Sequence, residues 1–300
     1  MRSFSRPELV ERARPLLGTY VTARVSANSA RSAHAAIDRA FEAMAEVHRL
    51  MSFHEAASEV TQLNRCAVRA AVRVHPHTFH VLRSAARLSR LSAGAFDISV
   101  GGRLVEWGML PAPSTDLHPD PAASFRDIVL LPERHVRFHR RLWIDLGGIA
   151  KGYAVDRGIA ALRACGVTRA AINAGGDLRI LGRGTERVCL KTAERYPQAH
   201  ATIELQGSAA VATSCGYPTR WPHGIVWRTC HVAGARGEAV DPRLTASVVA
   251  RSCLIADALT KIILIQRAAA ANLVRSLRAE AYLHRPDVAG SQWDAIGVSP

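Results

Sequence analysis

Two glycine pairs flanked by charge are the part of this 300-residue chain best suited to chemistry. Asp145 precedes Gly147 and Gly148, and Lys151 follows them; further on, Gly175 and Gly176 precede Asp177. A glycine pair at the end of a strand lets a ligand approach the backbone closely, although a plain tight turn has the same composition. Neither pair has the spacing of the G-x-G-x-x-G fingerprint or of a P-loop. Lysine usage adds weight to the first pair. Of 39 basic residues only Lys151, Lys191 and Lys261 are lysines, the rest being arginine. A chain so biased keeps a compact ammonium where one is tolerated or wanted.

The elements that must position these groups follow from periodicity. A short apolar strand, Leu142–Ile144, leads into Asp145. A helix runs from about Lys151 to Cys165, with Tyr153, Val155, Ile159 and Leu162 on its buried side and Gly166 as its stop. Strand Ala170–Asn173 then enters the second glycine pair. Upstream, residues 16–25 read as one strand, 30–51 as an amphipathic helix, 59–64 as a short helical turn and 77–91 as a further helix. Downstream, residues 188–191, 201–205, 209–213 and 247–250 read as strands, and Trp227–Val232 as a strand carrying His231. Helix Ile255–Gln266 places Asp257 in its first turn, where the dipole favours a carboxylate; capping alone would also account for that charge. Thr260 and Lys261 follow on the same face. A helix over 268–277 and a final strand over 279–283 close the chain. Residues 1–13 are polar and read as a loose segment, and no composition break divides residues 14–300.

With 48% hydrophobic residues the chain can bury a sizeable core. Its net charge of +14 suits an anionic partner. The arginines are scattered without an aromatic ladder, which argues against nucleic acid and fits a phosphate-rich small molecule. No apolar run is long enough to span a membrane. The six cysteines form no C-x-x-C pair and read as buried, reduced thiols. With no apolar leader or lipobox-like cysteine, the expectation is a cytoplasmic protein. His75, His77 and His80 look like metal ligands, but Pro76 makes them a polar helix start.

DLGGIAKGYAVD followed by NAGGD resembles the central signature of the FAD:protein FMN transferases, the ApbE family. RPLLGTYVTARV, MSFHEAASEVTQLNR, GAFDISVGGRLVEWG, VATSCGY, His231 and ADALTK are similar to other segments of that family, in the same order. The resemblance implies an α+β fold of mixed sheets with packed helices, in a single large domain. It implies transfer of FMN from FAD to a serine or threonine hydroxyl of an acceptor flavoprotein, with release of AMP and with Mg²⁺ as cofactor. Residue by residue, it assigns Leu17, Phe53, Ala95, Phe96, Asp97, Asp145 and Lys151 to the flavin nucleotide. Gly148, Asp257 and Thr260 fall to the metal, and His231 and Lys151 to catalysis. For Phe53, plain core packing is an equal reading.

Three departures from the family bear on the site. Leu17 replaces a methionine. The segment after His231 lacks an Asp-Pro pair, which recurs later as Asp241-Pro242-Arg243. Lys261 stands where a metal-ligating Thr or Ser is usual, and an ammonium cannot ligate a cation. Either Thr260 supplies the oxygen or Lys261 replaces part of the metal's charge. These departures keep two alternatives open: FAD binding without transfer, and Mg²⁺-dependent hydrolysis of FAD.

Overall fold

The computed structural model describes residues 8–113, 118–190, 192, 201–216, 221–223, 226–234, 237–287 and 290–298. Its centre is an eight-stranded sheet whose strand order follows the chain: β1 Glu8–Leu16, β2 Thr19–Ala27, β3 Arg169–Ala174, β4 Asp177–Leu181, β5 Ala210–Cys215, β6 Thr245–Ala250, β7 Glu280–Asp287 and β8 Gly290–Ile296. Every neighbouring pair in it is antiparallel. The one parallel pairing among the described residues is the isolated bridge between Val100 and Trp143. Helices fill the long connections, which makes this an α+β chain.

Residues 8–13, expected to be loose, form most of edge strand β1. The polar run ELVERAR hid it, because an edge strand with much of its surface in solvent needs little apolar alternation. The single strand expected over 16–25 is broken by a two-residue hairpin turn. Leu16 pairs with Thr19, and Leu17 and Gly18 both take left-handed backbone, with φ of 57° and 72°. That is the twist a two-residue hairpin demands. The turn of Gly175 and Gly176 between β3 and β4 lies beside it, since a Cβ on Gly175 would stand 2.6 Å from Thr19 Oγ1. Ala212 pairs with Asp177, so the end of β5 runs past that second turn. One end of the sheet therefore gathers the first hairpin turn, the glycine pair, and Ser214 and Cys215.

Helix α1, Ala30–Met51, begins where the Ser29 hydroxyl accepts the Ser32 N–H, and it buries Ala33, Ile37, Ala40, Phe41, Met44 and Val47. Each large side chain removed from water there contributes about 1.5–3 kcal/mol. Helices α2, Glu59–Cys66, and α3, Pro76–Leu91, follow, then α4, Gly101–Glu106. Helix α5, Ala150–Ala164, packs between α1 and α6, Cys253–Gln266, and α6 lies on β5 and β6. The helix expected over 268–277 is a 3₁₀ turn, Arg267–Ala270, followed by α7, Ala271–Ser276.

Leu142–Ile144 is not a strand. Its backbone is held by a side chain: Asn64 Nδ2 donates to the Ile144 carbonyl at 3.0 Å, and the Ile144 N–H donates to Asn64 Oδ1 at 2.8 Å. Nor do the cysteines all hide. None is in a disulfide, but Cys66, Cys165, Cys189 and Cys230 are exposed and Cys253 alone is fully buried.

Candidate active site

Helices α5 and α6 exchange carboxylates at their N-termini. Asp156 of α5 accepts the Ser252 hydroxyl at 2.8 Å and the N–H groups of Cys253 and Leu254 at 2.9 and 3.0 Å. Asp257 of α6 accepts the N–H of Gly152, in the first turn of α5, at 2.9 Å. Because Ser252 and Asp156 start α6 before Ile255, Asp257 lies beyond the first turn rather than in it, and is fully buried. The anion that the α6 dipole attracts is thus Asp156.

Gly152 makes the exchange possible. A Cβ there would stand 2.3 Å from the Cys253 carbonyl oxygen and 2.7 Å from Asp257 Cβ. One neighbour is backbone of α6 and the other a Cβ fixed to it, so Gly152→Ala is expected to push the helices apart. Overpacking of this kind costs about 1–3 kcal/mol. Chemical denaturation should show that loss, and an unchanged midpoint would contradict the packing described.

Asp257 holds Lys261, one turn further on. The ammonium donates to Asp257 Oδ1 and, at 3.0 Å, to the Asp257 carbonyl. The Thr260 hydroxyl donates to the same carbonyl at 2.6 Å and shares a 2.7 Å hydrogen bond with Ser214 at the end of β5. Burial pushes the Asp257 carboxyl up, but Lys261 and Lys151 outweigh it and hold the group below the ordinary carboxylate value. Beside it, Lys151 Nζ stands 2.8 Å from Oδ2 of Asp177, the first residue of β4. Burial works against the Lys151 charge; Asp177 and Asp257 more than restore it, so its pKa is raised.

Asp177 is the titrating member of the group. Burial, then the Asp257 charge, pushes its carboxyl up to about 7 despite Lys151. Between its ordinary value of 3.8 and about 7, the folded chain holds a proton that the unfolded chain has released. This group's contribution to stability is therefore greatest at the acid end and falls as pH rises through that window. The stability of Asp177→Asn relative to wild type should rise across the same window in melts at a series of pH values. A difference independent of pH would contradict the assignment.

Of the remaining candidates, Gly148, Asp145 and the Ala95–Asp97 loop adjoin this group, while Leu17 and Phe53 lie in the main core. Gly148 lies against Phe96 and Lys261: a Cβ on it would be 3.5 Å from Phe96 Cε2 and 3.6 Å from Lys261 Cε. Asp145 is half-buried, and its Oδ2 accepts the Gly147 N–H at 3.2 Å. Burial raises its pKa against the pull of the Gly147 N–H, His54 and Lys261. The Asp97 carboxylate is turned to its own loop, accepting from the Ser99 N–H and hydroxyl at 2.8 and 2.7 Å and from the Phe125 N–H at 3.1 Å. Ala95 and Phe96 are buried beside it. Leu17, in the first hairpin turn, packs against the main core, and Phe53 is buried within that core.

His231 is not on a strand; it lies between the short strands Val226–Arg228 and Val232–Ala233. Its Nε2 is 3.4 Å from the Cys215 carbonyl, next to Ser214. The hairpin of Val232–Ala233 with Glu238–Ala239 loops the chain out and returns it, so that the Val240 N–H donates to the His231 carbonyl at 3.0 Å. Asp241-Pro242-Arg243 thus follows His231 in space despite the intervening residues. The hairpin docks on the Ala95–Asp97 segment through Gly234, whose Cβ would be 2.3 Å from Asp97 Cβ.

His75 and His77 do begin a helix. His75 Nδ1 accepts the His77 N–H at 3.2 Å, capping α3, and His77 Nδ1 is 2.7 Å from the Tyr153 hydroxyl. The ligand atoms of Glu46, His75 and His77 lie within 4.8 Å of one another. The cap, however, selects the tautomer with a proton on His75 Nε2, the atom that faces Glu46. A neutral imidazole protonated there cannot ligate a metal through it.

A profile of the ApbE family matches residues 17–283. The chain belongs to the ApbE family. Among its relatives is the FAD:protein FMN transferase of Vibrio cholerae, 27% identical over 74% of this chain and 70% of that protein. Its fold is shared with the flavin transferase ApbE of Vibrio cholerae, with a TM-score of 0.80, 21% identity and 97% of each chain covered. The flavinyl transferase ApbE of Pseudomonas stutzeri superposes with a TM-score of 0.81 at 19% identity, covering 98% of this chain and 96% of its own. No helix among the described residues of this ApbE-family chain is long and apolar enough to cross a membrane.

Asp177 and Ser214 were absent from the sequence-derived site. Asp177 was visible as the charge after the second glycine pair, but its pairing with Lys151 depends on how β4 meets α5. Ser214 stood within the VATSCGY segment, but nothing there marked its pairing with Thr260, which comes from a different element.

At Asp257 and Thr260 the Mg²⁺ expected there together with Gly148 meets groups that are already engaged. Asp257 Oδ1 holds Lys261, Oδ2 holds the Gly152 N–H, and the Asp257 carbonyl takes both Lys261 and Thr260. Mg²⁺ requires near-octahedral oxygen ligands, and the ammonium stands among those available here. The residues present do not fit the ion in this arrangement.

Proposed function

We propose that this protein is an FAD:protein FMN transferase. The observation that carries the reading is the meeting of Lys151 and Lys261, each paired with a buried carboxylate, beside Gly148 and Phe96. Two fixed cations next to a glycine pair and an aromatic edge suit a ligand that carries both a pyrophosphate and a flat ring system. FAD is such a ligand.

In the reaction, a serine or threonine oxygen of an acceptor protein bonds to the FMN-side phosphorus. The bond from that phosphorus to the bridging oxygen breaks, and AMP leaves with the oxygen. Positioning and charge neutralisation dominate such a step. Lys151 and Lys261 offset the charge on the phosphates, and the Asp177 and Asp257 carboxylates fix where those ammoniums stand. His231 takes the proton from the attacking hydroxyl. Its Nε2 faces the Cys215 carbonyl and must carry hydrogen to bond it, which leaves Nδ1 as the basic atom. The return of Asp241-Pro242 to His231 favours transfer over simple retention of FAD, because it restores the pair that the linear sequence displaced.

Fluorescence quenching tests the ligand. FAD should bind at least about tenfold more tightly than FMN, a difference of about 1.4 kcal/mol that the second phosphate and the adenosine supply. Equal affinity for the two would remove the basis of the reading.

A further inference from the structure

The closed donor set around Asp257 has a functional consequence. We infer that Lys261 stands in place of a divalent cation, and that this chain neutralises a pyrophosphate with its two site lysines and no metal at Asp257. The inference rests on the flavin-dinucleotide reading of the site.

Three observations support it. The Lys261 ammonium is held at two points, Asp257 Oδ1 and the Asp257 carbonyl, and its side chain is only 13% exposed. A lysine tethered in this way forgoes most of the rotamer freedom of an exposed one, as a residue selected for position does. Next, Thr260 has its hydroxyl hydrogen on the Asp257 carbonyl and its oxygen against Ser214, so the neighbouring hydroxyl is committed as well. Lastly, each ammonium already has a buried carboxyl partner: Lys151 meets Asp177, and Lys261 meets Asp257. A divalent ion would have to displace an ammonium to reach the Asp257 carboxylate. When a pyrophosphate enters, the two ammoniums face its charge directly, as fixed donors that need little reorganisation.

The test uses the intact protein and two readouts other than turnover. Mn²⁺ binding is titrated by electron paramagnetic resonance, with and without FAD, for wild type, Asp257→Asn and Lys261→Thr. FAD affinity is measured in Mg²⁺ and in EDTA. Wild type and Asp257→Asn should give the same Mn²⁺ isotherm, and the wild-type FAD affinity should not change when EDTA replaces Mg²⁺. Lys261→Thr frees the Asp257 carboxylate and should gain a Mn²⁺ site. Its FAD affinity should become metal-dependent by about tenfold or more. A wild-type Mn²⁺ site lost in Asp257→Asn, or a tenfold weakening of wild-type FAD binding in EDTA, would overturn the inference. The wild-type and Asp257→Asn isotherms decide the matter even if Lys261→Thr does not fold. Should FAD bind under no condition, the functional reading fails, while the Mn²⁺ comparison still judges the metal claim.

Discussion

Asp257→Ala is expected to destabilise the protein by about 3–5 kcal/mol, the cost of leaving a buried charge without its partner. The carboxylate holds the Lys261 ammonium and the Gly152 N–H from a position with no exposure to solvent. Its loss strands both, and water cannot replace it without opening the α5–α6 contact. Asp257→Asn can still accept from Gly152 but no longer balances the ammonium, so it should fall between Ala and wild type. Urea denaturation of the three proteins measures this. An alanine variant as stable as wild type would mean that Lys261 and Asp257 are not paired in solution. FMN transfer should be lost in Asp257→Ala even at temperatures where the variant is folded, because Lys261 no longer has a fixed position.

The second large effect concerns the proton. His231→Ala should lower the transfer rate by about 10²–10⁴-fold, the usual contribution of a positioned general base. FAD affinity should stay near the wild-type value, since the lysines and the aromatic edge lie on other segments. A single-turnover assay separates the two quantities. A variant that loses FAD binding while keeping its rate at saturation would reassign His231 from the proton to the ligand.

Much of this site could be read from the chain because its signals are local. The glycine pair between Asp145 and Lys151 and the spacing of Asp257, Thr260 and Lys261 depend only on neighbours within a turn or two. The same holds for α1, whose expected apolar stripe is all buried, with Ala36 added to it. What escaped depends on distant partners. The start of α6 was misplaced because Asp156, which accepts the first N–H groups beside the Ser252 cap, comes from α5. Leu142–Ile144 looked like a strand because three apolar residues do not reveal that their pairing is a single bridge at Trp143 and that Asn64 takes both backbone groups of Ile144. Edge strand β1 was hidden by its polarity, and the hairpin after His231 by an insertion whose return path only folding shows.

Lys261 shows both sides of this limit. Its spacing from Asp257 marked it as a departure from the family, and the sequence allowed two outcomes: Thr260 as the ligand or Lys261 as a substituted charge. The contacts of the ammonium with Asp257 Oδ1 and the Asp257 carbonyl favour the second.

The most direct test of the proposed activity is a product balance. The protein is incubated with FAD and a panel of acceptor proteins, and AMP, free FMN and covalently bound flavin are quantified together. The account predicts AMP and fluorescent acceptor in equal amounts, with little free FMN. AMP matched by free FMN would make the protein an FAD hydrolase, and FAD retained without any AMP would make it a binding protein; either result contradicts the account.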